Sequence, residues 1–455
     1  MLAALNIDPL PSTWAVLIIM IIVTLLIKLL TDYFLKTEVG LALRATGDNE
    51  KMIRSFSANT DILTIVGLGI SNGLVALSGA FIAQYGGFTD VGMGIGMIVI
   101  GLASVIIGEA LFGTKTIART TLAVVCGAIV YRIVLTLALK AKFLEAGDTK
   151  LITAIIVIAA LVMPKIITTR KEAVRKKEKN DGCLKMERRV KVLSLNNISI
   201  TFNEGTLDEK KALQTVNLQL EKGDFVTVIG SNGAGKSTLM NMISGSLKPD
   251  VGSVKINEKN VTLLPEYKRS RLIGRVFQDP MAGTAPTMTI EENLAMAYAR
   301  NKKRTLKYGV SKRRKSLFKE HLATLHLGLE NRLNAKVGLL SGGERQALSL
   351  LMATFTEPNI LLLDEHTAAL DPSRADLITK LTGEVVEQFG LTTLMVTHNM
   401  QQALDLGNRL IMMDKGQIIL EVSGEEKQAL TIEKLLAEFQ RIRGKQMDND
   451  RAVLG

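Results

Sequence analysis

The sequence predicts a multi-domain fold, an all-α transmembrane bundle followed by an α/β domain. The chain has 455 residues, and its charged residues are unevenly distributed. Residues 1–160 hold 11 Lys/Arg and 10 Asp/Glu, about 13% of the positions, whereas about 27% of the later positions are charged. Apolar runs of membrane-spanning length occupy the first part, and short strands alternate with helices in the second. This composition excludes a disordered chain, a collagen and a coiled coil.

Five apolar stretches are long enough to cross a membrane, since a spanning helix needs about 20 mostly apolar residues. They run from Trp14 to about Leu30, from Ile62 to about Ala83, from Val91 to about Leu111, from Thr120 to about Leu139 and from Leu151 to about Ile167. No Lys or Arg precedes the first stretch, so we interpret it as a span rather than a secretory signal. Glycines four residues apart, Gly69 with Gly73 and Gly92 with Gly96, predict faces where helix backbones approach closely. The alternative is that glycine is simply common in membrane helices.

The loops between these stretches predict the orientation of the chain, because Lys and Arg concentrate on the cytoplasmic side. The loops after the first and third stretches and the segment after the fifth are basic, whereas the loop from Tyr85 to Asp90 has no positive charge. Lys140, Lys142 and Lys150 in the last outer loop argue against this assignment. The amino terminus would start outside, so we expect further spans to come from upstream or from another polypeptide.

A polar segment after the first stretch has the sequence RATGDNE at Arg44–Glu50. Together with Leu77–Ala80 and Gly101–Leu111, this segment resembles the permeases of ABC importers related to the branched-chain amino acid permeases. The resemblance covers roughly residues 30–168 and matches the later part of such a permease. We therefore assign residues 1–168 to a partial transmembrane permease domain of about five helices.

A charge-rich linker at residues 169–191 separates the two domains. From Lys165 to Lys191 the chain holds eleven Lys/Arg against four Asp/Glu, and the residues after 160 carry +11 of the net charge of +12. Such charges are attracted to anionic lipid by about 1 kcal/mol each near the surface, so membrane lipid is an expected partner. Nucleic acid is not an expected partner, because no base-stacking aromatic residues are interleaved. The two cysteines, Cys126 and Cys183, form no disulfide framework and fit a reducing, cytosolic side.

A glycine-rich loop follows a strand of buried type near the start of the second domain. The strand Phe225–Ile229 runs into Gly230, Ser231, Asn232, Gly233, Ala234, Gly235, Lys236, Ser237 and Thr238. This pattern is typical of a phosphate-binding loop, in which backbone N–H groups and a helix N-terminus face phosphate oxygens. We expect the loop to bind ATP, with Lys236 on the phosphates and the Ser237 hydroxyl on Mg²⁺.

A second apolar strand, Ile360–Leu363, ends in the two carboxylates Asp364 and Glu365. In this arrangement Asp364 would hold Mg²⁺, and Glu365 would orient and polarise the attacking water. The two motifs together predict an α/β P-loop NTPase that hydrolyses ATP.

Further motifs lie in order around these two. They are Gln278 in Val-Phe-Gln-Asp, LSGGERQ at Leu340–Gln346, Asp371 in Ala-Leu-Asp-Pro and His398 in Val-Thr-His-Asn. With them, residues 192–425 resemble the ATP-binding cassette of ABC transporters. The resemblance implies that Gln278 contacts Mg²⁺ and the hydrolytic water, and that His398 holds the γ-phosphate.

The same resemblance implies further contacts with nucleotide. Phe202 would lie under the adenine, although a core phenylalanine remains an alternative because Asn203–Lys211 reads as an insertion. Asp371 is also expected among the nucleotide-binding residues. Three signature residues would close over the phosphate bound by a second cassette: Ser341, Gly342 and Gly343. The partner would be a second copy of the chain or another cassette, with two ATP molecules between them.

The resemblance to importer permeases also implies a role for the polar segment at residues 40–60. As a connecting loop of the importer type, it would lie in a groove of the cassette beside Gln278. We then expect charge reversal at Arg44 or Arg54 to uncouple transport from hydrolysis. The alternative is that these arginines merely mark the cytoplasmic side of the membrane.

Two other segments have less specific patterns. Nine Lys/Arg between Arg300 and Lys315 indicate a solvated helix face or proximity to the membrane surface. At residues 426–455 the spacing of Ile432, Leu435, Leu436 and Phe439 predicts an amphipathic helix that packs on the cassette, followed by a tail.

The two resemblances imply ATP-driven transport with permease and ATPase on one chain, importing amino acids or a similar small polar solute. The expected partners are an extracytoplasmic substrate-binding protein and a separate permease part. An ABC exporter shares the order of membrane domain and cassette, but exporters usually have six long spans. A truncated fusion whose cassette hydrolyses ATP without a complete pore is the third alternative. The expected location is the cell membrane, multi-pass, with the ATPase domain in the cytoplasm.

Overall fold

The structure, a computed structural model, describes residues 12–90, 94, 97–113, 116–139, 191–437 and 441. The predicted fifth span and the linker up to residue 190 lie outside these residues. Within the described part, three helices are long and apolar enough to cross a membrane: Trp14–Leu35, Thr60–Gly86 and Ile117–Leu137. A shorter apolar helix, Ile100–Phe112, corresponds to the third predicted span.

Six helices form the amino-terminal part of the described chain. They are α1 (Ser12–Lys36), α2 (Glu38–Asp48), α3 (Glu50–Ser55), α4 (Thr60–Gly86), α5 (Met97–Phe112) and α6 (Ile117–Leu139). The apolar side chains of α4 are exposed. A helix whose backbone groups are bonded internally and whose apolar side chains face outward suits surroundings of lipid or other membrane helices.

Small residues bring the backbones of α5 and α6 together. A Cβ added at Gly127 would lie 2.1 Å from the carbonyl oxygen of Ser104, and one added at Gly108 would lie 2.0 Å from the carbonyl oxygen of Ala123. Both distances are far below van der Waals contact, so only glycine fits at these two positions.

The predicted contact through Gly69 and Gly73 is not found within the described residues and stays a prediction. A Cβ added at either position meets no atom within 4 Å among the described residues. Gly92 and Gly96 lie outside the described residues. Spacing along the sequence identifies a small-residue face, but the direction in which the helix turns that face depends on its neighbours.

Gly127→Ala should destabilise the packing of α5 on α6 by about 1–3 kcal/mol, because the added methyl group pushes the two backbones apart. The thermal unfolding midpoint of the detergent-solubilised protein should fall accordingly. Gly73→Ala is the matched control, since the same methyl group on α4 meets no neighbour among the described residues and alanine favours a helix over glycine. Equal unfolding midpoints for the two variants would contradict this account of the crossing.

Ten strands of the described cassette form two sheets. The strands are β1 (Lys191–Phe202), β2 (Lys210–Glu221), β3 (Phe225–Gly230), β4 (Val251–Ile256), β5 (Lys259–Asn260), β6 (Ile273–Val276), β7 (Ile360–Asp364), β8 (Thr392–Val396), β9 (Arg409–Asp414) and β10 (Gln417–Ser423). An antiparallel sheet has the order β2-β1-β4-β5, and a six-stranded sheet has the order β10-β9-β3-β8-β7-β6.

Helices cover these sheets. They are α7 (Lys236–Ser244), α8 (Glu266–Arg269), α9 (Ile290–Tyr298), α10 (Lys312–Ala323), α11 (Gly342–Thr354), α12 (Pro372–Phe389), α13 (Met400–Asp405) and α14 (Gly424–Gln428). A further helical segment at residues 432–437 buries Leu435 against Ile229, Leu410 and Met412. This burial confirms the predicted packing of the carboxy-terminal helix on the cassette, and Phe439 lies outside the described residues.

The central sheet determines where the functional motifs meet. Strand β3 pairs in parallel with β8 and β9, and β7 pairs in parallel with β6 and β8. The apolar side chains of β3, β7 and β8 are buried on both faces, as expected for a parallel sheet covered by helices. Because the carboxyl ends of parallel strands share one edge, Gly230, Asp364 and Val396 lead their loops to the same side of the sheet.

The chain divides into two compact units, and the division departs from the predicted boundary in two places. Residues 42–64 group with the cassette, although they precede it by more than a hundred positions. Residues 305–308 group with the amino-terminal helices, although they lie within the cassette sequence. The domain boundaries at residues 168, 191 and 425 stay a prediction.

Candidate active site

The phosphate-binding loop joins β3 to α7 in a backbone path that needs glycine. Gly233 and Gly235 have φ angles of 81° and 99°, in the left-handed region that residues with a Cβ rarely adopt. A Cβ added at Gly235 would also lie 2.6 Å from the carbonyl oxygen of Ala212 on β2. The loop therefore passes close to β2 and leads directly into the N-terminus of α7, which is the positive end of the helix dipole.

Lys236 lies at the start of α7 with its side chain buried. Its Nζ donates hydrogen bonds to the carbonyl oxygens of Gly230 (2.8 Å) and Ser231 (3.2 Å). No carboxylate pairs with this ammonium within the described part of the chain. A buried cation held by neutral carbonyl oxygens, beside a helix N-terminus, fits the phosphates of ATP.

Lys236→Ala should weaken ATP binding by about 10- to 100-fold, since a hydrogen bond to a charged group contributes about 1.5–3 kcal/mol. Titration of the purified protein with a fluorescent ATP analogue measures this affinity directly. Lys222→Ala provides the control, because Lys222 is exposed in the turn before β3. An unchanged affinity of the Lys236 variant would remove this side chain from the phosphate site.

Three predicted catalytic side chains meet at the carboxyl edge of the sheet. Gln278 Nε2 donates to Glu365 Oε2 at 3.1 Å, and His398 Nδ1 lies 3.6 Å from the same oxygen. An open cleft of about 320 Å³ borders Gln278 and is lined by Asp279, Ala368 and Ala369. The sequence placed these residues in separate motifs, and the fold brings them together around one carboxylate.

The backbone of Glu365 adopts an uncommon conformation. Its φ is 41°, in the left-handed region, and its N–H donates to the carbonyl oxygen of Val396 on β8 at 2.9 Å. Left-handed conformations in residues other than glycine cost about 1–3 kcal/mol and concentrate at functional sites. The turn carries the Glu365 side chain past the end of β7 toward Gln278 and His398.

The residues predicted to hold Mg²⁺ are oxygen donors of the kind that this ion prefers. They are the Ser237 hydroxyl, the Asp364 carboxylate and the Gln278 amide, whose Nε2 is directed at Glu365 and whose oxygen is left for a cation. No group of three or more His, Cys, Asp or Glu side chains clusters in the described residues. Three oxygen donors would leave coordination positions of Mg²⁺ for phosphate oxygens and water.

Arg275 occupies this region and was not predicted from the sequence. Its Nη2 donates to Asp364 Oδ2 (3.2 Å) and to Asn241 Oδ1 on α7 (2.8 Å), while Nη1 donates to Ser244 Oγ (3.1 Å). The guanidinium also lies 4.9 Å from the ring centroid of Phe277. One nearly buried arginine thus joins the helix of the phosphate loop to the carboxylate expected to hold Mg²⁺.

Phe202 lies at the loop end of the β1–β2 hairpin, opposite Lys210 in the strand register. Its ring is 37% exposed, which argues against the alternative of a core phenylalanine. The side chain of Lys210 extends to the phosphate loop, where a Cβ added at Gly233 would lie 3.7 Å from its Nζ. Phe202 therefore neighbours a residue that reaches the phosphate loop, and its contact with adenine stays a prediction.

The signature residues begin α11. The Ser341 hydroxyl accepts a hydrogen bond from the Glu344 N–H at 3.3 Å, and Glu344 Oε2 accepts from the Ser341 N–H at 2.8 Å. This reciprocal capping box anchors the helix N-terminus. Gly342 and Gly343 follow in the first turn, where a Cβ at Gly343 would lie 3.2 Å from the Arg374 side chain.

Asp371 acts as the N-cap of α12. Its carboxylate accepts from Ser373 Oγ (2.8 Å) and from the Arg374 N–H (3.1 Å). These hydrogen bonds, the one from Ser373 foremost, lower the pKa of Asp371 below its ordinary value. The local role of Asp371 is thus structural within one chain, and its contact with nucleotide stays a prediction.

Two histidines lie close to Glu365, but one is buried and the other is exposed. His366 is fully buried, its Nε2 is 2.9 Å from Thr382 Oγ1, and burial lowers its pKa to about 4. His398 is largely exposed at the edge of the sheet. His366 is therefore a neutral packing residue at pH 7, and His398 is the histidine available to a ligand.

The segment at residues 42–64 contacts the cassette through Asn49. The Asn49 Nδ2 donates to three carbonyl oxygens, those of Met281 (2.8 Å), Ala282 (3.1 Å) and Thr284 (2.7 Å). These carbonyls follow Gln278 by three to six residues. The predicted position of the segment beside Gln278 is thereby confirmed.

The two arginines of this segment differ in their partners. Arg44 Nη1 donates to Glu292 Oε1 on α9 at 2.7 Å. Arg54 instead bonds Glu50 (2.7 Å) and Thr60 (2.9 Å), both within residues 42–64. Charge reversal at Arg44 should therefore disturb the contact with the cassette. The Arg54 side chain makes no such contact among the described residues, and the effect of reversing its charge stays a prediction.

Phe56 and Ser57 also belong to the contact between residues 42–64 and the cassette. Arg304 donates to the carbonyl oxygens of Phe56 (2.6 Å) and Ser57 (3.3 Å), and the buried Arg300 lies 4.9 Å from the Phe56 ring centroid. Burial lowers the pKa of Arg300 to about 9, so this guanidinium stays charged at pH 7. Ser270 Oγ accepts from the Ser57 N–H at 3.1 Å. Residues far apart in the cassette sequence thus hold one short segment.

Comparison with known proteins agrees with this geometry. A family model described as an ABC transporter matches residues 213–368, and one described as a permease component of the branched-chain amino acid transport system matches residues 3–161. A tyrosine transport ATP-binding protein of Clostridioides difficile is 44% identical over 250 residues, which are 55% of this chain and 99% of that protein. A methionine import ATP-binding protein of Enterococcus faecalis is 32% identical over 53% of this chain and 67% of that protein.

A solved dimeric ATP-binding cassette in a post-hydrolysis state, bound to ADP and Pi, is 30% identical to this chain. It aligns with 51% of this chain and 98% of its own length, with a TM-score of 0.45. The near-complete match to the tyrosine transport ATP-binding protein, the permease match upstream and the complete set of cassette motifs lead to one assignment. The chain belongs to the ABC transporter family and joins a permease of the branched-chain amino acid type to a cassette that hydrolyses ATP.

Proposed function

We propose that this chain is part of an importer that uses ATP to bring amino acids or a similar small polar solute into the cell. The proposal rests on the contacts between residues 42–64 and the cassette, which are made by Asn49 and Arg44. That segment joins two helices of the permease part, so a movement of the cassette around ATP is transmitted to them. The tyrosine transport and methionine import relatives support amino acids as the solute class.

Hydrolysis would use the groups gathered at the sheet edge. The phosphate loop and Lys236 bind the phosphates, with Phe202 beneath the adenine. Glu365 orients the attacking water and accepts its proton, and His398 holds the γ-phosphate. Mg²⁺, when bound to Ser237, Asp364 and Gln278, would neutralise charge on the phosphates.

The active form would contain two cassettes. Ser341, Gly342 and Gly343 begin a helix, and a helix N-terminus is a suitable donor for the phosphate of ATP on a second cassette. The partner is a second copy of this chain or another cassette. A separate permease part and an extracytoplasmic binding protein would complete the importer in the cell membrane, with several spans and the cassette in the cytoplasm.

Transport into proteoliposomes tests this function and separates it from the alternatives. Vesicles that enclose ATP and Mg²⁺ should accumulate radiolabelled tyrosine or another amino acid from outside when the binding protein and the remaining permease chain are supplied. Glu365→Gln is the control for dependence on hydrolysis. Accumulation driven by ATP on the outside, without a binding protein, would instead identify an exporter. Hydrolysis without solute movement in either arrangement would identify an ATPase that lacks a complete pore.

A further inference from the structure

A short cassette segment, Thr305–Tyr308, is attached to the end of the first candidate span. Tyr33 Oη on α1 donates to the Leu306 carbonyl oxygen at 2.9 Å, and the Glu38 N–H donates to the Lys307 carbonyl oxygen at 3.0 Å. Glu38 Oε2 accepts from the Thr305 N–H (2.9 Å) and hydroxyl (3.0 Å). The candidate span at Trp14–Leu35 ends within a few residues of these contacts, so a membrane crossed by this helix would place the segment near its interface with water.

The side chains of this segment have the amphipathic character of an interface. Leu306 is 58% exposed and Tyr308 is 52% exposed. The Tyr308 ring packs edge to face with Tyr33, at a centroid distance of 5.5 Å. Tyrosines that expose an apolar ring and a polar hydroxyl are enriched at the headgroup level of membranes.

The surrounding sequence carries positive charge without any negative charge. Residues 300–319 contain ten Lys/Arg and no Asp or Glu. Several of these cations are already engaged: Arg300 and Arg304 with residues 42–64, Lys302 and Arg314 with Tyr298, and Lys315 with Glu291. Lys303, Lys307 and Lys312 are exposed and have no acidic partner among the described residues. Their charge is available to an external anion.

We propose that residues 303–312 form a binding surface for anionic lipid headgroups at the inner face of the membrane. Leu306 and Tyr308 enter the interface, and Lys303, Lys307 and Lys312 bind phosphates of the headgroup layer. The positive charge suits any anionic partner. Lipid is favoured over an acidic protein because the surface begins where a candidate membrane span ends. The inference rests on the orientation given under the proposed function, with the cassette in the cytoplasm.

The test places a fluorescent label at position 306 by Leu306→Cys, with Cys126 and Cys183 replaced by serine. The full chain is reconstituted in nanodiscs of phosphatidylcholine alone or mixed with phosphatidylglycerol, each containing a lipid with a nitroxide headgroup as quencher. Quenching should rise by about twofold or more with phosphatidylglycerol, since each lysine near the surface is attracted to anionic lipid. At about 1 M salt the increase should disappear, because the Debye length falls to about 3 Å.

Two controls test whether the quenching depends on the position of the label and on the three lysines. The same label at Leu207, which is fully exposed in the β1–β2 loop, should show no quenching in either lipid. Lys303→Glu/Lys307→Glu/Lys312→Glu should abolish the effect of phosphatidylglycerol, whereas Lys222→Glu/Lys248→Glu/Lys259→Glu, which reverses three exposed lysines elsewhere, should retain it. Equal quenching at position 306 in the two lipids, or equal losses in the two triple variants, would overturn the proposal. Quenching requires no transport, so its outcome is independent of whether import is observed.

Discussion

Glu365→Gln is expected to lower ATP hydrolysis by about 10²- to 10⁴-fold while ATP binding is retained, the range that a general base contributes. The amide has nearly the same shape as the carboxylate but cannot accept the proton of the attacking water. Gln278 Nε2 at 3.1 Å and His398 Nδ1 at 3.6 Å from Glu365 Oε2 locate this carboxylate at the centre of the cluster. Phosphate release by the purified protein measures the rate, and titration with labelled ATP measures binding.

The same variant should accumulate as a closed dimer of cassettes with ATP, because hydrolysis is the step that reopens it. Size-exclusion chromatography with and without ATP and Mg²⁺ reports this state. Glu387→Gln is a suitable control, since Glu387 lies exposed on α12 away from the cluster. Hydrolysis by Glu365→Gln at the wild-type rate would remove Glu365 from the catalytic role.

Asn49→Asp is expected to abolish most solute transport while basal ATP hydrolysis stays within about twofold of wild type. The Asn49 amide donates to three carbonyl oxygens of the cassette, and a carboxylate at this position would repel all three. Leaving such polar groups unpaired costs about 1–3 kcal/mol each. Aspartate also retains the N-cap of α3, where the Asn49 side chain accepts from the Met52 N–H, so the helix itself is preserved.

The ratio of solute transported to ATP hydrolysed in proteoliposomes is the decisive measurement for Asn49→Asp. Arg44→Glu should lower the same ratio, since it places a carboxylate against Glu292. Arg54→Lys serves as the control, because the Arg54 side chain bonds only within residues 42–64 in the described structure and lysine keeps its charge. A ratio unchanged in Asn49→Asp would show that the contact does not couple the cassette to the membrane.

Motifs made of consecutive residues could be predicted reliably. The phosphate loop, the strand ending in Asp364 and Glu365, and the signature before α11 each have a sequence that only one local backbone path satisfies. Gly233 and Gly235 have φ angles that favour glycine, and the nearby carbonyl of Ala212 leaves no room for a Cβ at Gly235. Such constraints act within a few residues, so they are visible in the sequence.

Contacts between distant residues could not be predicted in the same way. Arg275 is one arginine in a strand, and nothing local indicates that it pairs with Asp364, 89 positions later. The glycine spacing on α4 resembled a packing face, but the close approach occurs at Gly108 and Gly127 on α5 and α6. The sequence also did not distinguish the partners of Arg44 from those of Arg54, since both residues satisfy the same preference for positive charge on one side of a membrane.

The fold class, the order of the domains and the chemical type of each predicted nucleotide-binding residue could be inferred from the sequence. These follow from hydrophobic periodicity and from local backbone geometry, which depend on neighbouring residues. Three contacts depend on tertiary packing: Gln278 and His398 approach Glu365, the Asn49 amide donates to three cassette carbonyls, and Thr305–Tyr308 contacts the end of α1. Each of these contacts links residues that are 33 to more than 200 positions apart. Their geometry depends on how helices and strands pack, which no local pattern encodes.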